Sequence, residues 1–233
     1  PLGDMAILVQ FEQRIDPHVH QQVVDLATQL VDLELNGVQF VSPAYCSLTI
    51  GYNPLEITYQ ELRRQVKTSA KQSSNIDNNP IRKVTLPVCY GGRFGIDLAE
   101  VSSVTGLTTK EIIQLHTAAP YRVYMLGFLP GFPYLGILPS KLRLPRKQNP
   151  RLRIPEGSVA IAGQQTGIYP SESPGGWHVL GKTPIPLLQL EGEFGFTLKT
   201  GDRVFFKSIN IDEYQRITDM LKANTFNWER LYE

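Results

Sequence analysis

The chain has 233 residues, 42% of them hydrophobic and 19% charged, a balance that suits a folded globular protein and excludes a disordered one. Its 23 basic and 22 acidic side chains leave a net charge of +1, which argues against a nucleic-acid-binding protein, whose surface needs a basic excess. Two cysteines, Cys46 and Cys89, cannot supply a disulfide framework or a cysteine-rich zinc site, and no apolar run approaches the roughly 18 residues that would span a bilayer. The first residues lack the basic-then-apolar layout of a signal peptide, and the missing initial Met reads as trimming, so the expected location is a reducing cytoplasm.

Ala6–Phe11 is an apolar run of strand length. Asp16-Pro17 begins a helix, Asp as the cap and Pro at the first helical position. Val23, Val24, Leu26, Ala27, Leu30, Val31 and Leu33 recur at three- and four-residue steps and predict its buried face, and Asn36-Gly37 ends it. Val38–Val41 and Tyr45–Tyr52 read as two strands, and Thr58–Ser69 as a second helix. With a possible last strand at Lys83–Cys89, the order matches a ferredoxin-like α+β module. The polar stretch Ser73–Pro80 reads as a linker, dividing a domain over 1–80 from one over 81–233.

The second region is built differently, since ten of the 17 prolines lie between Leu129 and Pro186, where they exclude long helices. Asp97–Val104 and Thr109–Ala118 read as short helices before it, the second capped by Thr108 or Thr109, and Val123–Phe128 as a strand. Ser158–Ala162, His178–Leu180, Phe194–Leu198 and Arg203–Ile209 are further short apolar stretches, with a turn at Thr200-Gly201-Asp202. Together they predict a β-rich barrel or sandwich with long ordered loops. Ile211–Lys222 reads as a closing helix with Ile211, Tyr214, Ile217 and Leu221 on one face.

Gly176–Thr183 fits the phosphate-loop expression G-x-x-x-x-G-K-T, but Pro184 and Pro186 block the helix that must begin at the Lys-Thr pair. From Ile112 to Pro155 there is no acidic residue, while Arg122, Lys141, Arg143, Arg146, Lys147, Arg151 and Arg153 fall within it. Such a segment is either an anion site or a basic loop balanced by acids elsewhere. Gly127–Leu135 interleaves aromatics with Pro and Gly, as a pocket wall or a packed loop would. A lone His116 on an apolar helix is more often structural than catalytic, and Asp97 reads either as a helix cap or as a site carboxylate. The four histidines are too scattered to suggest a metal site, and no nucleophile elbow occurs.

The same segments carry a resemblance. They are Pro87–Gly92 with Gly95 and Asp97-Leu98, His116-Thr117, Gly127–Leu135, Pro145-Arg146, Pro150-Arg151, Gly157–Gly163, Gln165–Pro170, Ser173–Trp177 and Gly181–Pro184, with Gly3–Val9 as an N-terminal strand. The chain resembles the family that contains the B-type subunit of bacterial 5-oxoprolinase, the sporulation-kinase inhibitor and the first subunit of allophanate hydrolase. Lys182, Ile154 and Ile96 depart from the residues usual there, Arg, Val and often Pro.

The resemblance implies a ferredoxin-like N-terminal domain followed by a cyclophilin-like β-barrel. It implies two partners, a C-type companion of related barrel fold and an A-type subunit, and the three together convert 5-oxoproline to glutamate with ATP hydrolysis. The isolated chain is expected to be inactive. The alternatives are inhibition of a sensor histidine kinase, or a part in allophanate hydrolase or urea carboxylase. The ligand residues expected on the combined reading are His116, Phe128, Pro130, Phe132, Tyr134, Arg146, Arg151, Gln165, Tyr169, Gly175, Gly176 and Trp177. No catalytic residue and no metal is assigned, and ATP is not expected at Gly176–Thr183.

Overall fold

The structure, a computed structural model, describes residues 1–72, 81–188 and 195–232. The expected linker Ser73–Pro80, and Phe194 in the expected strand Phe194–Leu198, lie outside the described residues. Two units divide the chain, Pro1–Pro80 and Ile81–Glu233.

The first unit runs β1 (Ala6–Gln10), α1 (Pro17–Asp32), β2 (Val38–Pro43), β3 (Ser47–Tyr52) and α2 (Tyr59–Gln72). Its antiparallel sheet has the order β1-β3-β2. Asp16 caps α1 as expected, its carboxylate accepting the N–H groups of His18 and Val19 at 2.8 and 3.1 Å. Val23, Leu26, Ala27 and Leu30 pack against Leu48, Ile50, Leu62 and Val66. Val31 and Leu33, expected on the same face, are exposed: at 100° per residue Val31 falls at the edge of the stripe that Val23, Leu26, Ala27 and Leu30 form, and Leu33 lies beyond the end of α1 at Asp32.

The ferredoxin-like expectation needs a fourth strand in this sheet, and here the reading is corrected. Lys83–Tyr90 does form a strand, β4, but it belongs to the barrel of the second unit. There it lies parallel to β12 (Arg203–Ile209), in register from Lys83 beside Arg203 to Cys89 beside Ile209.

The second unit is a closed seven-stranded mixed barrel in the order β11-β4-β12-β5-β6-β9-β8. The further strands are β5 (Tyr121–Leu126), β6 (Pro133–Gly136), β7 (Arg151–Ile154), β8 (Ser158–Ala162), β9 (Gln165–Ile168), β10 (Ser173–Gly175) and β11 (His178–Lys182). The helices are α3 (Leu98–Thr105), α4 (Thr109–Ala118) and α5 (Ile211–Lys222). Thr108 and Glu111 cap α4 reciprocally, and Asn210 caps α5 through the N–H of Glu213.

Successive strand residues face opposite sides of the wall. Leu135, Val159, Ile161, Ile168 and Leu180 join the main core on one side. Ala160, Ala162 and Val179 join a smaller cluster with Phe132, Tyr169 and Trp177 on the other. The strands β6, β7, β9 and β10 are additional to the expected ones: Pro or Gly interrupts β6, β9 and β10, and β7 is a four-residue, half-charged run between Pro150 and Pro155; Pro133 is tolerated as the first residue of β6.

Candidate functional site

The hairpin loop between β5 and β6 begins the site. Gly127 donates its N–H to Phe132 O, and Phe132 its own to Leu129 O, both at 3.0 Å, which closes a tight loop. Phe128 sits in it at φ 71 and is 65% exposed, while Phe132 is turned inward and buried. Phe132 meets Tyr134, Tyr169 and Trp177 with ring centroids 5.0, 5.2 and 5.6 Å apart, the last two edge to face. These rings approach the barrel wall at Gly167, where a Cβ would lie 3.0 Å from both Phe132 and Trp177.

The Ser173–Trp177 segment closes the other side. Gly175 lets the Tyr169 hydroxyl approach, since a Cβ there would lie 2.2 Å from it. The same hydroxyl accepts the Trp177 N–H, and burial pushes the phenol up to about 12 against that bond and the charge of Arg146. Gly176 accepts the N–H of Lys147 at 2.8 Å. The exposed Arg146 guanidinium stands 5.9 Å above the Trp177 ring. Phe128, Tyr134 and Arg146 thus stand around the buried rings of Phe132, Tyr169 and Trp177, with Gly175 against the Tyr169 hydroxyl, and Pro130 is exposed in the same loop as Phe128. Gln165 is half-buried on β9, opposite Gly136 and Ala162.

The structure separates His116 and Arg151 from this aromatic cluster. His116 is fully buried on the opposite side of the wall, stacked on Phe206 at 4.7 Å. The Thr166 hydroxyl donates to Ala160 O at 3.0 Å, so it receives the His116 Nε2–H at 2.9 Å. The other nitrogen, Nδ1, then accepts from the Tyr90 hydroxyl at 2.8 Å. Burial lowers the imidazole pKa to about 3, so it is neutral, and no nitrogen is left for a ligand.

Arg151 grips Asp97 with two hydrogen bonds of 2.6 and 2.7 Å. Asp97 also receives the Val179 N–H at 2.8 Å and Lys147 Nζ at 3.1 Å. It makes no side-chain capping bond to α3, so the expected cap is corrected: its carboxylate ties α3, β7 and β11 together. Burial alone would raise the Asp97 pKa, but the bonds from Arg151, Val179 and Lys147 outweigh it and hold the carboxyl below its ordinary value. Lys147 also meets Glu100 at 2.5 Å and Arg153 meets Glu172 at 2.8 Å. Three cations of the basic segment, Lys147, Arg151 and Arg153, are therefore paired with acids from other parts of the chain, whereas Arg146 forms no ion pair among the described residues.

Gly176–Thr183 does not form a phosphate loop. Its residues 178–182 are strand β11, and no helix begins at Lys182-Thr183. Among the described residues no group of three His, Cys, Asp or Glu side chains could hold a metal ion, and no helix is long and apolar enough to cross a membrane.

The family model for the carboxyltransferase domain, subdomain C and D, matches residues 1–195. The chain belongs to this family. It is 38% identical to the B-type subunit of 5-oxoprolinase from Bacillus subtilis, over 91% of this chain and 93% of that protein. To the protein of the same name from Haemophilus influenzae it is 41% identical, over 88% and 95%. The crystal structure of TTHA0988 superposes with a TM-score of 0.79 at 37% identity, covering 88% of this chain and 40% of that longer one. The K. lactis urea amidolyase superposes with a TM-score of 0.76 at 18% identity, over 96% of this chain and 15% of that one, which shows a shared fold.

Proposed function

We propose that the chain is the B-type subunit of a cytoplasmic, ATP-dependent 5-oxoprolinase, which with its A-type and C-type partners hydrolyses 5-oxo-L-proline to L-glutamate. The observation that carries this reading is nearly end-to-end similarity, at 36–41% identity, to three bacterial proteins that bear the name of this 5-oxoprolinase subunit. The urea carboxylase and urea amidolyase relatives are only 25% and 28% identical, and the chain spans 17% and 13% of them.

A lactam is an unreactive amide, and opening it needs an activated carbonyl, which ATP supplies in the assembled enzyme. The residues of Gly176–Thr183 do not fit a nucleotide triphosphate, so ATP is not placed there. His116 is enclosed and Asp97 is held by two cations, so neither is available as a base to a bound substrate. In this reading the chain binds and orients the substrate, and the isolated chain is inactive. Arg146 is suited to the carboxylate, since it rises beside Pro145 from a fixed backbone and offers a planar two-pronged donor next to an apolar aromatic face.

Reconstitution with the A-type and C-type partners, followed by ATP-dependent release of glutamate from 5-oxo-L-proline, tests the function; a complete complex without turnover would sink it. Arg146→Lys keeps the charge and loses the fork. It is expected to lower kcat/KM by about 1–3 kcal/mol of transition-state binding with the complex intact. Unchanged kinetics would return Arg146 to a solvated basic loop.

A further inference from the structure

Arg146 stands over Trp177, and the short segment that carries it is held on both sides. On one side Lys147 donates its N–H to Gly176 O at 2.8 Å. On the other, Pro145 O lies 3.0 Å from His178 Nε2, on strand β11. A carbonyl only accepts, so Nε2 bears the proton and donates. In the neutral ring Nδ1 is then a bare acceptor. His178 is 7% exposed, and its Nδ1 is buried with no hydrogen-bond partner among the described residues. Buried polar atoms are ordinarily paired, so this one calls for an explanation.

The group that Nδ1 faces supplies one. Glu100 Oε1, on α3, lies 3.8 Å from it, while Oε2 of the same carboxylate holds Lys147 Nζ at 2.5 Å. With a neutral ring two acceptors face each other and cannot bond. A proton on Nδ1 turns them into a charge-assisted donor and acceptor, and a closing movement of about 1 Å brings them to the usual separation. The bond to Pro145 survives, because Nε2 keeps its own proton. The surrounding charges are otherwise matched. Asp97 and Glu100 come from α3, Arg146 and Lys147 from the 145–147 segment, and Arg151 from β7. From β8 the residue opposite His178 is the uncharged Ile161. Asp97 and Glu100 answer Arg151 and Lys147, and Arg146 leans on Trp177, so a proton arriving at His178 has Glu100 Oε1 to pair with.

We propose that His178 is a positioning residue of the aromatic site: it holds the segment that presents Arg146, and a proton taken up at Nδ1 tightens that hold by closing the ring onto Glu100. The ring then ties Pro145 to α3, and the Glu100 carboxylate ties α3 to Lys147, so both neighbours of Arg146 are fixed to one pair of side chains. The consequence for substrate rests on the proposed function, in which Arg146 meets the carboxylate; the coupling of His178 to Arg146 does not.

NMR of the full chain through an acid titration tests the coupling. The Trp177 indole N–H and the Arg146 amide are expected to move in one step that shares its midpoint with the His178 ring signals. In Glu100→Gln the closing anion is gone, and that step is expected to shrink at least about twofold. Arg146 and Trp177 signals that stay still while the ring titrates, or a ring that takes up no proton while the chain is folded, would overturn the proposal. In the reconstituted complex, His178→Leu is expected to raise KM for 5-oxo-L-proline about tenfold with kcat within about twofold, since Arg146 binds substrate and does not react. His178→Gln keeps an N–H near the place of Nε2, and is expected to restore most of KM while removing its dependence on pH. A folded His178→Leu with the wild-type KM, or a His178→Gln as impaired as His178→Leu, would also count against it. If His178→Leu does not fold, the His178→Gln and Glu100→Gln variants carry the test. A complete complex without turnover would remove the function and leave the spectroscopic coupling to decide the role of His178.

Discussion

Asp97 has no solvent exposure and is surrounded by Arg151, Lys147 and the Val179 N–H. Asp97→Asn keeps the shape, leaves Arg151 without its anion and leaves Lys147 with Glu100 alone. We expect a loss of about 2–4 kcal/mol, below the ~3–5 of a fully enclosed pair because Arg151 is one-third exposed. The folded-state pKa lies below the unfolded one, so the carboxylate stabilises the fold above the unfolded value of about 3.9. That contribution is lost as pH falls through the folded value. Urea unfolding should therefore show the full gap between wild type and variant at neutral pH, closing below about pH 4. A gap that persists under acid would mean the carboxylate charge is not what stabilises the fold. This residue also shows where reading the sequence stops. A capping Asp before a helix is a local pattern, and the local pattern is present. Its actual partners lie 54 and 82 positions away in sequence, and no spacing rule reaches them. His116 shows the same limit: Thr166, 50 positions on, takes its second nitrogen.

Helices were legible because capping and periodicity are local. Thr109–Ala118 and Ile211–Lys222 were read to the residue, and Thr108 and Asp16 cap as their chemistry demands. Strand order was not legible. β4 reads as well in the first sheet as in the barrel, and its pairings with β11 and, some 120 residues later, with β12 decide between them. The segment leading from β4 to α3 depends on one close approach. Gly95 donates its N–H to Gly91 O at 2.9 Å, and a Cβ there would lie 1.9 Å from Leu180 O. No rotamer relieves a backbone clash of that kind. Gly95→Ala is expected to cost about 3 kcal/mol by pushing the 91–97 turn off β11 and loosening the Asp97 cluster. Thermal unfolding of the two proteins checks it, and an unchanged midpoint would show that the turn is free to move.

For the molecule as a whole, the aromatics of the β5–β6 loop fall into two kinds. Phe132 is buried and holds the loop to the barrel. Phe128 is 65% exposed and occupies a left-handed backbone conformation that costs a side-chain-bearing residue about 1–2 kcal/mol. Its visible return is one edge-to-face contact with Phe132 at 5.8 Å, worth about 0.5–1.5 kcal/mol. Strain held on an exposed aromatic points outward, to something that covers it. If the chain assembles as proposed, the C-type companion is expected to supply that cover. Phe128→Gly relieves the strain and removes the ring together, so the stability of the isolated chain should change by less than about 1 kcal/mol, whereas truncating a packed core Phe costs about 3–5. Assembly should respond in the opposite way, with affinity for the companion falling at least about tenfold as a central aromatic anchor is lost. Thermal unfolding of the isolated chain and sedimentation of the mixed proteins measure the two effects separately. A variant that assembles as tightly as wild type would assign Phe128 to the substrate surface alone, and one that unfolds like a core truncation would make it a packing residue.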